Sequence, residues 1–158
     1  MIKFRLSLMM FLQFFVWGAW YVTVANYMIV EGMPQLTYWA FTVGPLAAIV
    51  APFFLGFIAD RYFPTERVLG VMHVVGGIAM FCAPFFIKNP LVFILMLGLH
   101  MLCYQPTIGL ANTLTFHNIS DAEREFPIIR MFGTIGWIVA GLIVSGWLAA
   151  DTTALPLH

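Results

Sequence analysis

Apolar residues fill five long runs of this chain, and short polar or turn-forming stretches separate the runs from one another. Each run reaches the roughly 20 residues that a helix needs to cross about 30 Å of hydrocarbon. None of them shows the strict alternation that a strand of a membrane barrel requires. The pattern therefore predicts five transmembrane helices, at residues 6–30, 37–59, 67–87, 91–115 and 127–149.

The composition supports a membrane protein over a soluble one. Hydrophobic residues make up 62% of the 158 residues, charged residues make up 9%, and the formal net charge is zero. A soluble domain of this length could not bury so much apolar surface, and the balanced charge offers no basic surface for nucleic acid. We therefore expect an all-α integral membrane protein, with residues 1–158 forming one domain in contact with the lipid bilayer and no nucleic acid as partner.

The basic residues predict how the helices are oriented. If five helices alternate in direction, Lys88 alone falls on one side of the membrane. Cytoplasmic loops carry an excess of lysine and arginine, so the N-terminus and the second and fourth loops are predicted to be cytoplasmic. The residues on that side are Lys3, Arg5, Arg61, Arg67, Arg124 and Arg130.

The last residues of the chain, 152–157, become apolar again. We read them as the approach to a sixth helix, which would make this chain the front part of a longer protein. A small membrane protein that ends here is the alternative.

Polar side chains inside the spans are candidates for a solute pathway, because their burial in lipid is costly. On the first helix, Gln13, Trp17 and Trp20 share one face, which offers an amide and aromatic surface suited to a planar ligand. A hydrogen bond from Gln13 to a neighbouring helix, with aromatic packing beside it, is the alternative. Tyr104 and Asn112 on the fourth helix are further candidates.

The fifth helix places Arg130, Thr134 and Trp137 on one face. Pro127 is expected near its first turn, with the arginine about one turn further along. The guanidinium could extend to the lipid headgroups, or it could point into an inner cavity and donate to a polar substrate. Gly136 with Ala140, and Gly141 with Ser145, form small-xxx-small pairs, which predict a close approach of another helix.

Other chemistry is poorly supported by the sequence. His73, His100 and His117 share no metal-ligand spacing, so we expect no metal, no cofactor and no enzymatic activity. A membrane enzyme that uses these histidines is the alternative. It would require a nucleophile or a set of metal ligands meeting at one depth in the membrane.

The loop after the second helix carries a recognisable motif. Residues 56–61 read GFIADR, which resembles the G-x-x-x-D-[RK] signature between helices two and three of the major facilitator superfamily. Gly56 would permit close helix contact, and Asp60, at the helix end, would be available to cationic partners. With Arg61 these residues would form a structural or gating loop on the cytoplasmic side. The second half departs from the motif, because Phe63 and Pro64 stand where glycine and a basic residue are usual.

Three longer segments resemble one family within that superfamily, the nucleoside:proton symporters. Residues 126–137, FPIIRMFGTIGW, are similar to its fifth-helix segment F-P-x-I-R-x-x-G-T-I-G-[FW]. Residues 104–113 are similar to its fourth helix, and residues 14–20 to its first. The resemblance implies a chain that forms most of the N-terminal six-helix half of a major facilitator fold in the inner (cytoplasmic) membrane of a bacterium.

The resemblance also implies a function. The family's substrate cavity uses the arginine and threonine that match Arg130 and Thr134, and an aromatic residue at Trp137 could stack on a base. Other expected substrate contacts are Gln13, Trp17, Tyr104 and Asn112. A coupling proton is expected, and its carboxylates would lie in a C-terminal half that this sequence does not include. A transporter of another polar solute, such as a sugar, or a non-transporting membrane subunit are the alternatives.

Overall fold

The computed structural model describes residues 1–51, 53 and 63–158, and gives the remaining positions only as part of a helix. The six α-helices are α1 (Ile2–Tyr21), α2 (Val24–Val30), α3 (Thr37–Tyr62), α4 (Thr65–Cys82), α5 (Pro90–His117) and α6 (Ala122–Gly141). Single 3₁₀ turns cover Pro34–Leu36, Ala83–Phe86 and Leu155–Leu157, and a π-helical segment at Leu142–Trp147 extends α6.

Within the described residues, four stretches are long and apolar enough to cross a membrane. They are Ile2–Val30, Thr65–Phe86, Pro90–His117 and Ala122–Trp147. The helix α3, with 26 residues, occupies the position of the second predicted span. Large apolar side chains also cover the outside of the bundle, as on α4, where Val74 is 63% exposed and Ile78 is 60% exposed. Lipid can solvate such a surface and water cannot. The protein is therefore an all-α, multi-pass membrane protein.

The first predicted span, 6–30, corresponds to one membrane-crossing stretch, Ile2–Val30, but this stretch is not one continuous helix. It is divided into α1 and α2 at Val22 and Thr23. There the N–H of Thr23 bonds to the carbonyl of Trp20 at 3.2 Å, and the Thr23 hydroxyl donates to the same carbonyl at 3.1 Å. These bonds form a tight turn in place of the regular i→i−4 pattern. Because β-branched residues also occur inside helices, Val22 and Thr23 do not predict a break at this position.

The start of the fifth predicted helix, residue 127, is also wrong. The helix α6 begins at Ala122, because the Asp121 side chain accepts from the N–H of Arg124 at 3.1 Å and caps the first turn. Glu123 and Glu125 lie in that turn, where the helix dipole favours negative charge. Pro127 is therefore an internal residue of α6, and Arg130 lies more than two turns from the start of the helix.

Close contacts between helices organise the bundle: α1 packs mainly against α6, and α5 packs between α3 and α4. The first contact depends on glycine on both sides. A Cβ atom at Gly136 would lie within 3.0 Å of the Phe11 backbone, and one at Gly18 would lie 3.0 Å from the Trp137 carbonyl oxygen. The close approach predicted at Gly136 is confirmed. The close approach predicted at Gly141 is wrong for the described part of the chain, where no neighbouring atom lies within 4 Å of its Cβ position.

Candidate solute-binding site

Arg130 lies on the side of α6 that faces α1. Its guanidinium carbon is 4.0 Å from the centroid of the Phe14 ring, in cation–π geometry. A Cβ atom at Gly133 would lie 2.7 Å from the Phe14 ring and 2.9 Å from an Arg130 guanidinium nitrogen. The glycine therefore creates the space in which the cation rests on the ring. Phe14 was not among the residues singled out from the sequence, and no spacing rule connects positions on separate helices.

Arg130 is half-buried, and no hydrogen bond among the described residues uses its guanidinium donors. Among the described side chains, the ion pairs are Lys3 with Glu125, at 3.0 Å, and Arg124 with Asp121, at 3.6 Å. Neither involves Arg130. A cation in an apolar span is costly unless it is paired or faces a polar cavity, and an aromatic face satisfies only part of that requirement. The position suits donation to a polar ligand.

Aromatic side chains form a cluster next to this cation, which we call the aromatic cluster: Trp17, Tyr21, Tyr104 and Trp137. The Trp17 and Trp137 rings meet edge to face, with centroids 5.0 Å apart and an interplanar angle of 89°. Trp17 lies 5.7 Å from the Tyr104 ring and 6.2 Å from the Phe14 ring. Trp17 and Trp137 are half-buried, so part of each ring is accessible. Ring faces held in this way can stack on a planar ligand.

The structure brings some predicted site residues into this region and leaves others apart from it. Thr134 is exposed, one turn from Arg130 on the same helix. Asn112 is half-buried, and its side-chain oxygen has no hydrogen-bond partner among the described residues. No ring contact or hydrogen bond joins Asn112 to the aromatic cluster in the described part of the chain. The side chains of Gly56, Asp60 and Arg61 lie outside the described residues.

Gln13 is the centre of a buried hydrogen-bond network that joins three helices. Its amide nitrogen donates to the Thr107 hydroxyl of α5 at 2.7 Å, and its amide oxygen lies 2.8 Å from Nε2 of His73 on α4. The Tyr104 hydroxyl donates to the Gln13 backbone carbonyl. Gln13 is 3% exposed, and both its amide nitrogen and its amide oxygen are bonded within the protein. This is the interhelical arrangement considered as an alternative to direct ligand contact.

The Thr107 hydroxyl provides a test of this network. Replacing it in Thr107→Val leaves the Gln13 amide nitrogen buried without an acceptor, so we expect a loss of about 1–3 kcal/mol in the free energy of unfolding. Thr107→Ser keeps the hydroxyl and should lose less than half as much. Thr113→Val, at an exposed position of the same helix, is the matched control. Thermal unfolding in lipid nanodiscs measures all three, and equal stability of Thr107→Val and wild type would contradict the network.

The histidines do not combine into a metal site. His100 bonds through Nδ1 to the Gly76 carbonyl at 2.9 Å and stacks on Tyr104, with ring centroids 5.7 Å apart. His73 is held by Gln13. Within the described residues, no group of three histidine, cysteine or acidic side chains could hold a metal ion.

Comparison with known proteins assigns a family. The family model described as Nucleoside H+ symporter matches residues 1–157. The chain is 37% identical over 160 residues to the candidate nucleoside transporter YegT of Escherichia coli (strain K12), covering 97% of this chain and 37% of that protein. It is 36% identical over 167 residues to the xanthosine permease of the same organism, covering 99% of this chain and 38% of that protein.

A solved structure matches the fold closely. The crystal structure of a mutant of the nucleoside transporter NupG superposes with a TM-score of 0.92 at 31% sequence identity, covering 99% of this chain and 40% of that chain. This match confirms the predicted fold class, a helical part of a major facilitator transporter. The chain spans less than two fifths of the length of the curated relatives that it matches. These relatives are transporters, which agrees with the expectation that the chain is not an enzyme.

Proposed function

The chain belongs to the nucleoside H+ symporter family, and we propose that it forms the N-terminal helices of a proton-coupled nucleoside transporter in the cytoplasmic membrane. One observation carries the proposal. Arg130 rests at 4.0 Å on the Phe14 ring, with no hydrogen-bond partner for its donors among the residues that the structure describes, beside the Trp17 and Trp137 rings. The cation, with its hydrogen-bond donors, suits the sugar of a nucleoside, and the accessible aromatic faces suit its base.

Each group has a distinct role in this proposal. A nucleoside presents a planar base and a sugar rich in oxygen acceptors. The Arg130 guanidinium donates to those oxygens in a geometry fixed by its planar fork. Trp137 and Trp17 supply the ring faces on which the base stacks, and the exposed Thr134 hydroxyl can donate or accept one turn away. The Asn112 side-chain oxygen is buried without a partner among the described residues, which leaves it able to accept a hydrogen bond.

Transport requires that the site open to each side of the membrane in turn. In transporters built from helical repeats, one bundle rocks against another around a site near the midplane. The helices described here would form one of those bundles, and the second bundle would close over Arg130 and the aromatic cluster. The described acidic residues lie at helix ends or in loops, so we place the proton-carrying group in the second bundle.

The proposed orientation has the N-terminus in the cytoplasm. The ion pair between Lys3 and Glu125, at 3.0 Å, brings the start of α1 next to the start of α6. Both ends therefore lie at the same membrane surface, and Arg5 and Arg124 are at that surface too. An excess of basic residues marks the cytoplasmic side.

A chimera tests the proposed function. Residues 1–158 replace the matching N-terminal segment of NupG from Escherichia coli, which gives a full-length transporter that we call the NupG chimera. We expect it to take up radiolabelled uridine in cells that lack their own nucleoside uptake, and to lose uptake when a protonophore removes the proton gradient. The chain of residues 1–158 alone, reconstituted in vesicles, should show no uptake, because one bundle cannot alternate around the site.

The controls are the unmodified NupG and the NupG chimera assayed for its amount in the membrane. A NupG chimera that is present at normal levels and fails to take up any nucleoside contradicts the proposal. Uptake by residues 1–158 alone contradicts the division of the site between two bundles.

A further inference from the structure

The Gln13 network contains one group for which the proposed function has no role so far, the imidazole of His73. This side chain comes from α4, whereas the groups proposed to touch the nucleoside lie on α1, α5 and α6. Its Nε2 atom is 2.8 Å from the Gln13 amide oxygen. Among the hydrogen bonds described for Gln13, the bond to His73 is the one that reaches α4.

The direction of each hydrogen bond in the network follows from the groups that can donate. The Thr107 hydroxyl donates its single proton to the Tyr104 backbone carbonyl, at 2.5 Å, so it must accept from the Gln13 amide nitrogen. That choice turns the Gln13 amide oxygen toward His73. Because an amide oxygen only accepts, Nε2 of His73 must carry a proton and donate to Gln13.

This hydrogen bond crosses a groove. A cavity of about 620 Å³ lies between α1 and α4, and both Gln13 and His73 line it, together with Leu8, Leu12, Val16 and Leu69. The main packing partner of α1 is α6 and that of α4 is α5. The bond between His73 and Gln13 therefore helps to fix the position of α4 relative to α1, two helices that have few direct packing contacts with each other.

The consequence for the proposed site follows from positions along α1. Trp17 lies one turn after Gln13, and the Tyr104 hydroxyl donates to the Gln13 backbone carbonyl. The Tyr104 and Trp17 rings are 5.7 Å apart. A change at Gln13 would therefore move both rings relative to each other. Gln13 is only 3% exposed. Without His73, its amide oxygen would therefore be buried without a hydrogen-bond donor.

We propose that His73 is a positioning residue of the nucleoside site. Its Nε2–H group holds Gln13 across the groove. Through Gln13 and the buried Tyr104 it keeps Trp17 in the position that receives the base. The inference rests on the proposed function, since the aromatic cluster is a binding surface only if the chain binds a nucleoside. His73 itself does not touch the ligand.

Two substitutions in the NupG chimera separate this role from others. His73→Leu removes the donor, so the KM for uridine should rise about tenfold while the maximal rate per transporter stays within about twofold. His73→Gln places an amide N–H where Nε2 stood and should keep KM within about twofold of wild type. His117→Leu changes an exposed histidine at the end of α5 and is the matched control, with no change expected.

The results that overturn the proposal are specific. An unchanged KM in His73→Leu, or a His73→Gln variant impaired as much as His73→Leu, shows that donation to Gln13 does not position the site. The state of the imidazole in residues 1–158 is measured separately by ¹⁵N NMR of labelled histidine in nanodiscs. A protonated Nε2 is expected, and a neutral ring protonated only at Nδ1 overturns the proposal even if no chimera transports. Failure of the unsubstituted NupG chimera counts against the proposed function alone.

Discussion

In the NupG chimera, Arg130→Ala is expected to lower the rate of uridine uptake at low substrate concentration by roughly 10- to 100-fold. The reason is the loss of hydrogen bonds from a charged donor to the nucleoside, each stronger than a neutral one. Arg130→Lys keeps the charge above the Phe14 ring and loses the planar fork, so an intermediate loss is expected. Initial rates of radiolabelled uridine uptake, corrected for the amount of transporter in the membrane, measure both.

Arg124→Ala is the matched control, because this arginine lies on the same helix and its side chain is 88% exposed beside Asp121. Exposed ion pairs contribute little, so uptake should stay within about twofold of the unsubstituted NupG chimera. If Arg130→Ala transports as well as Arg124→Ala, the guanidinium has no part in the site.

The second large effect is expected at the contact between α1 and α6. Gly136→Ala introduces a Cβ atom within 3.0 Å of the Phe11 backbone, and a backbone atom cannot move aside without shifting its helix. Such overpacking costs about 1–3 kcal/mol or more in the free energy of unfolding. We therefore expect a clear drop in the melting temperature of residues 1–158 in nanodiscs.

Gly141→Ala is the control at the end of the same helix, since no neighbouring atom of the described residues lies within 4 Å of its Cβ position. Alanine there should leave the stability unchanged or raise it slightly, because glycine is the poorer helix former. Equal melting temperatures for the two variants would show that the close approach of α1 and α6 does not stabilise the bundle.

Much of the fold could be predicted from the sequence, because the requirement for about 20 apolar residues per crossing leaves few alternatives. The close packing at Gly136 was predicted for a similar reason, since small residues four apart leave a flat helix surface. The limits of the helices were less accurate. The prediction started the last helix where the apolar run starts, whereas Asp121 caps it among charged residues further upstream.

The candidate site was predictable in part. Periodicity placed Arg130 and Trp137 on one face, and the resemblance to a family gave them a role. The support of Arg130 by Phe14 and the bond from His73 to Gln13 could not be found in this way, because each joins residues on different helices. Such pairs depend on how the helices are rotated and offset, which the hydrophobic pattern of a single helix leaves undetermined.

In the proposed transporter, Arg130 and the aromatic cluster bind a nucleoside. Thermal unfolding of the purified NupG chimera, titrated with uridine and in parallel with lactose, measures this binding, since a ligand that binds the folded state raises the melting temperature. We expect stabilisation by uridine, none by lactose, and little or none by uridine in Arg130→Ala. Stabilisation by lactose alone, or equal stabilisation of Arg130→Ala by uridine, would contradict the claim.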